Sequence, residues 1–217
     1  MRKARDILHI YFPGILAALL LSATILVIPA YADVYPSSTS LAAHKKLGID
    51  YRIVQNYTSS DSIVLSIHGG NIEYGTSQIA QAVATRGGLD YFGFIGLRGS
   101  GLHVTSTNFN DPCALNMVRA SQQTLSIHGC TGSSRVTYLG GLDKTFMGKV
   151  KTQLIKAGFA VKNPPNDLGG SGKTNICNRN RIGKGVQLEL TAGLRNQLMN
   201  NKTDFNRYVN ALVKAEN

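Results

Sequence analysis

The chain has 217 residues, 23 Lys+Arg against 12 Asp+Glu for a formal charge of +11, and a 43% hydrophobic share. That apolar content excludes a disordered polyelectrolyte, and the length suits one domain behind a short leader. The positive balance fits an anionic partner, yet with no Trp, no Lys/Arg block and no RNA-recognition signature, specific reading of nucleic acid is not expected.

Arg2, Lys3 and Arg5 form a basic head, Gly14–Pro29 is apolar, and Ala30-Tyr31-Ala32 gives a small-x-small cleavage site. Residues 1–32 therefore read as a secretory signal peptide; the cleavage site favours it over an uncleaved anchor. The expectation is a secreted monomer, 33–217, with no stable membrane association after cleavage. Losing Arg2, Lys3, Arg5 and Asp6 leaves 20 Lys+Arg against 11 Asp+Glu, a formal +9. Cys113, Cys130 and Cys177 remain, an odd count that allows one bridge and one free thiol. Loop positions favour Cys130 with Cys177 as the bridge.

Asp33–Lys46 is polar and reads as a loose N-terminal arm or a docking segment. Gly48–Val54 contains a short strand. Ser62–His68 is a β-branched apolar run ending in histidine, followed by Gly69-Gly70 and then Glu73. Gly75–Arg86 spaces Ile79, Ala80, Val83 and Ala84 for an amphipathic helix that Gly87-Gly88 stops. Asp90–Leu97 is a strand, and Asp111 can cap a helix carrying Leu115, Met117 and Val118. Leu125–Gly129 repeats the Leu-Ser-Ile-His-Gly of Leu65–Gly69, placing His128 at a second strand end. Val136–Gly140 is a strand, Lys144–Ala157 a helix, Phe159–Val161 a short extended piece and Asn163–Asn180 a long Pro/Gly/Asn loop. Val186–Leu190 is the last strand, and helices at Ala192–Met199 and Asp204–Ala215 follow. Alternating strands and helices predict a three-layer α/β single domain with a mixed, largely parallel sheet, whose sites gather beyond the strands' carboxyl ends.

Two histidines and a glutamate delivered from strand ends form the three-ligand set of a catalytic zinc site with an open fourth position: His68, Glu73 and His128. The alternative for either histidine is a hydrogen-bonded core or turn residue. After the leader only Glu73, Glu189 and Glu216 remain as glutamates. Glu216 reads as solvated tail. Glu189 shares one strand face with Gln187, opposite Val186, Leu188 and Leu190; it is either a general base beside a metal-bound water or a strand-end carboxylate on a solvated face. His103 is either a substrate donor or a surface-strand histidine. Arg179 and Arg181, set among amides, offer forks for carboxylates, or are solvated loop charges. Gly169–Thr174 imitates a phosphate-binding loop, but Asp167 stands where its first glycine belongs and no strand leads into it. A Cys130–His128 nucleophile is disfavoured because an exposed thiolate oxidises outside the cell.

Five stretches then fall into a pattern: His-Gly-Gly-x-Ile-Glu at 68–73, Leu102–Pro112, Ser126–Cys130, Asn175–Arg179 and Gly185–Arg195. Together, from about Tyr51 to Met199, they resemble the poly-γ-glutamate hydrolase family of phages and bacilli. The resemblance implies a zinc-carboxypeptidase-like fold and one zinc per chain held by His68, Glu73 and His128. It implies Glu189 as the carboxylate that activates water, and Arg179, with Asn178 and His103, as the residues that bind substrate carboxylate or steady the oxyanion. The implied substrate is the anionic polymer poly-γ-glutamate, cut at its γ-amide bonds. Asn110-Asp111-Pro112 departs from the Asp-Glu-Pro expected there, and the leader departs from the phage members. Rival readings are a zinc amidase on other γ-linked glutamyl bonds, such as those of cell-wall peptides, and a non-catalytic polyanion-binding protein.

Overall fold

A computed structural model describes residues 33–216; the expected signal peptide lies outside them. Seven strands form one sheet: β1 (Tyr51–Asn56), β2 (Ser62–Gly70), β3 (Asp90–Gly96), β4 (Gln123–Cys130), β5 (Val136–Gly141), β6 (Ala160–Lys162) and β7 (Val186–Thr191). Their order is β1-β3-β2-β4-β7-β5-β6. The four central strands, β3, β2, β4 and β7, are mutually parallel; β1 and β5 run antiparallel to their inner neighbours. The sheet is thus mixed and largely parallel at its centre, and β2, β3 and β7 are buried along both faces, as covered strands are.

Helices α1 (Ser38–His44), α2 (Thr76–Gly87), α3 (Pro112–Ala120), α4 (Lys144–Lys156), α5 (Ala192–Asn200) and α6 (Lys202–Glu216) complete the three layers. One face of the sheet packs Val64, Leu125, Ile127, Leu188 and Leu190 against α2, α4, α5 and α6. The other packs Ile63, Leu65, Ile67, Phe92 and Phe94 against α1 and α3. Helix starts follow the sequence: Asp111 accepts from Ala114 N at 2.9 Å and Asp143 from Phe146 N at 3.0 Å, each satisfying an orphan donor of the first turn.

The Asp33–Lys46 stretch is docked rather than loose. Leu41 is sealed in the α1/α3 core. Asn110 N donates to Ser38 Oγ at 2.8 Å, and Asn110 Oδ1 accepts from Ser38 Oγ at 3.0 Å and from Thr39 N at 3.0 Å. The three cysteines are free thiols. Cys130 pairs with Thr191 at the end of β7, whereas Cys177 O crowds Gly185 just before β7 begins. A strand length, roughly 17 Å, separates those positions, far beyond the reach of a bridge.

Candidate active site

Strands β2, β4 and β7 end on one rim, and a fault in the pairing decides what meets there. Alternation puts Ile63, Leu65 and Ile67 on the α1/α3 side of the sheet. Leu65 lies opposite Ser126, so Ser126 and His128 share that side, and strict alternation would turn His68 to the other. Between Ser66 and Gly69, however, β2 slips its register with β3: Ser66 faces Gly93, and Gly69 faces Ile95. This bulge inserts one extra residue and swings His68 round to His128. Gly70, at φ +67°, then starts the turn, where any side chain would strike the Gly96 carbonyl. Glu73 N closes the turn on His68 O at 2.9 Å.

The outcome is a tight cluster. His68 Nδ1 lies 3.1 Å from His128 Nδ1 and 2.9 Å from Glu73 Oε1, and His128 Nδ1 lies 3.8 Å from Glu73 Oε2. Both rings are held from behind. His68 Nε2 meets Val104 O at 2.9 Å; a carbonyl only accepts, so Nε2 carries the proton and Nδ1 of the neutral ring is bare. His128 Nε2 meets Ser126 Oγ at 2.9 Å, with Ser106 Oγ at 3.5 Å. Gly129 N donates to Glu73 Oε2 at 2.7 Å.

The bare Nδ1 of His68, set 2.9 Å from a Glu73 carboxylate oxygen, calls for a proton or a metal ion between the two. One solution is a proton on His68. Burial opposes that charge, but Glu73 overrides it and His68 titrates above the ordinary histidine range. Glu73, despite burial, is held low by His68, while burial and the neighbouring His68 drop His128 to about 3. The other solution is a metal ion, for which two imidazoles and a carboxylate with their far sides hydrogen-bonded are a fitting donor set. His103 approaches the same point: donor atoms of His68, Glu73 and His103 lie within 4.8 Å of one another. Its ring lies against His68 at 4.1 Å between centroids, tilted by 32°, and its Nδ1 meets Asp33 Oδ1 at 2.9 Å. The His103 ring is centred nearer His68, at 4.1 Å against 4.8 Å for His128, but His128 brings its Nδ1 to 3.1 Å from His68 Nδ1 and is buried in a strand, whereas the His103 side chain is 34% exposed; on that ground we take His68, Glu73 and His128 as the inner set.

Glu189 is the register partner of His128 across the β4–β7 pair. It is 6% exposed, which removes the alternative of a solvated strand-end charge. Gln187 Nε2 donates to its Oε1 at 3.0 Å, and Gln187 is itself oriented by Asn175 Nδ2 at 2.8 Å. Burial first, and then the nearby Glu73 charge, raise Glu189 to about 8.

Two expected residues are not brought to this cluster. Asn178 is corrected to a structural role: Oδ1 accepts from Gly185 N at 2.9 Å and Leu142 N at 3.3 Å, and Nδ2 donates to Gly170 O at 2.8 Å and Gly172 O at 3.0 Å. Both donors and both acceptor sites are engaged, so nothing remains for a ligand. Arg179 is half-buried beside it, near the start of β7. Glu189 lies four residues beyond Gly185, about 13 Å along the strand. Among the described residues no hydrogen bond or ion pair joins Arg179 to the histidine cluster.

Sequence reasoning also passed over supporting residues. Ser126 sits two positions before His128 and so on its face, a signal that period-2 alternation carries. Arg195 donates to Leu190 O at 3.1 Å, Tyr74 O at 2.6 Å and Cys130 O at 3.1 Å, fastening two strand ends to the Glu73 turn. Asp33, placed in a loose arm, carried no local signal at all.

The profile of the poly-gamma-glutamate hydrolase family matches residues 35–213. The SPbeta prophage-derived protein YoqZ of Bacillus subtilis is 34% identical over 177 residues, 79% of this chain and 64% of that protein, so the chain spans under two thirds of YoqZ's length. YndL of the same organism is 33% identical over 171 residues, 76% of this chain and 67% of YndL. Among solved structures, a bacteriophage poly-gamma-glutamate hydrolase superposes with a TM-score of 0.81 at 30% identity, covering 85% of this chain and 97% of that one. A structure of YndL described as apo and zinc-free gives 0.78 at 28% identity, covering 85% and 97%.

Proposed function

The chain belongs to the poly-gamma-glutamate hydrolase family, and from that premise we propose that it is a secreted zinc hydrolase cutting γ-glutamyl amide bonds of poly-γ-glutamate. The observation that carries this reading is the 3.1 Å approach of the His68 and His128 Nδ1 atoms beside the Glu73 carboxylate. His68, Glu73 and His128 would hold the ion. When bound, zinc supplies Lewis acidity that polarises an amide carbonyl and makes water a nucleophile near neutral pH.

The protein's own residues do the rest. Glu189 is the proton carrier: with Oε1 fixed by Gln187, Oε2 takes a proton from water and returns it to the leaving amine nitrogen. Burial keeps that carboxyl able to hold a proton near neutrality. Ser126 and the Val104 carbonyl fix both ligand rings so that Nδ1 faces the centre. His103, on the solvent side of His68, is placed to meet the substrate at the mouth of the site. Arg179, which makes no hydrogen bond or ion pair to the cluster among the described residues, suits an α-carboxylate further along a polymer rather than at the scissile bond. The +9 balance of residues 33–217 would draw a polyanion toward this surface.

Glu189→Gln is the test. It is expected to abolish cleavage of poly-γ-glutamate while purified protein keeps one zinc per chain; undiminished hydrolysis by Glu189→Gln, or protein that binds no zinc, would defeat the mechanism. Assaying cell-wall γ-glutamyl peptides in parallel separates the polymer from other γ-linked substrates.

A further inference from the structure

His103 reaches the mouth of the site from a loop, and what aims it comes from the far end of the chain. Asp33 Oδ1 lies 2.9 Å from His103 Nδ1, and Asp33 Oδ2 accepts from Thr105 N at 2.7 Å. Seventy residues separate the partners, and the carboxylate is largely enclosed, at 11% side-chain exposure. The backbone carrying Asp33 is anchored in turn. Ser38 and Thr39 grip Asn110, Leu41 is buried, and Tyr35 stacks on His44 at 5.3 Å. The loop from His103 to Asn110 is therefore tied at both ends by the same N-terminal stretch, at its start by Asp33 and at its close by Ser38 and Thr39.

We propose that Asp33 is a positioning residue for the hydrolytic site: its carboxylate takes the His103 Nδ1 proton as a hydrogen bond, fixes the ring against His68, and leaves His103 Nε2 as the atom offered to substrate. This inference rests on the hydrolase reading above. A carboxylate can only accept, so the neutral ring is locked as the Nδ1–H tautomer, and Nε2 presents a lone pair. The second carboxylate oxygen, held by Thr105 N, keeps Asp33 from rotating away. A surface ion pair would not need this double hold, and the ring it holds packs against a candidate ligand, His68, at 4.1 Å between centroids and tilted by 32°. Asp33 is also the first residue after the Ala30-Tyr31-Ala32 motif. In the secreted reading, the new N-terminal residue left by leader removal is itself part of the site, so processing two or three residues further along would yield a folded protein with a misaimed His103.

The experiment reads the ring directly. Full chain labelled with ¹⁵N-histidine is compared as wild type, Asp33→Ala and Asp33→Glu, with His103→Gln assigning the signal. The wild-type His103 is expected to show a protonated Nδ1 and a bare Nε2. Asp33→Ala should lose that preference, and Asp33→Glu, which keeps the carboxylate, should recover it. On poly-γ-glutamate, Asp33→Ala is expected to lower kcat by roughly 10- to 100-fold with a much smaller change in KM, and to have no further effect in a His103→Gln background. An unchanged His103 tautomer in Asp33→Ala overturns the proposal, as does an equal loss of rate with and without His103. The tautomer needs no turnover, so its result stands apart from that of Glu189→Gln, on which the hydrolytic reading itself depends.

Discussion

Glu216 offers a sharp test of how this fold treats a charge it does not use. Near the end of α6 its Oε2 accepts from Gln123 Nε2, but Oε1 is sealed from solvent with no hydrogen-bond partner among the described residues. Burial raises its pKa from the ordinary 4.5 to about 7, with Gln123, Ser62 and Lys149 only partly opposing the shift. The sign follows from linkage. Below pH 4.5 the group is protonated folded and unfolded, and contributes no difference. Between 4.5 and 7 the unfolded chain releases the proton while the folded one retains it, so stability falls as pH rises. Above 7 the folded protein bears the full cost of a buried charge, roughly 3 kcal/mol. Glu216→Gln removes that cost but leaves an amide donor where Oε1 finds no partner, returning about 1 kcal/mol. The variant should therefore gain about 2 kcal/mol at pH 8, near 4–8 °C in Tm for a domain of this size, and lose up to about 1 kcal/mol at pH 4.5, where only the amide's cost remains. Urea unfolding of both proteins at the two pH values measures this. An equal difference at pH 4.5 and pH 8 would refute the argument.

Other consequences are as direct. Ser126→Ala strips the 2.9 Å partner from His128 Nε2 and is expected to weaken zinc binding by about 10- to 100-fold in a competition titration against a chromophoric chelator; unchanged affinity would remove the positioning role. A methyl group added by Gly129→Ala would stand 2.6 Å from Arg195 Nε, so melting should show a loss of about 1–3 kcal/mol. Gly148→Ala lies exposed within α4 with nothing inside 4 Å, and the same measurement should show a gain of about 0.5–1 kcal/mol. Arg179→Lys should raise KM for long polymer far more than it lowers kcat, and an equal effect on a short γ-linked oligomer would show that Arg179 acts nearer the scissile bond than its position indicates.

The strands and most helices were legible because each is written in a single period. Val186–Thr191 alternates cleanly, and Ile79, Ala80, Val83 and Ala84 fall on one helical stripe, so local pattern and final burial coincide. Glu189 belonged to the same logic: alternation placed it beside Gln187, and only the covering of that face awaited the fold. His68 did not. Period 2 sends it to the wrong side of the sheet, and the slip against β3 that corrects this depends on a neighbouring strand more than twenty residues away. Asn178 misled in the opposite sense, since a polar residue in a polar loop looks like a ligand-binder until all four of its hydrogen-bonding positions are found on backbone groups. Asp33 and His103, like Gln123 and Glu216, are pairings across the length of the chain, which no window of sequence displays. Glu216 accordingly read as a solvated tail residue, yet the residue is half-buried and its Oε1 is shut away from solvent.

Arg195 carries a final implication. One guanidinium grips carbonyls from the Glu73 turn, the end of β4 and the end of β7, and it forms no ion pair among the described residues. The framework around the cluster is thereby braced by a cation that belongs to the polypeptide. Loading and stripping of the site should then leave the backbone superimposable, and the pocket should behave as a rigid receptacle rather than one moulded by its occupant.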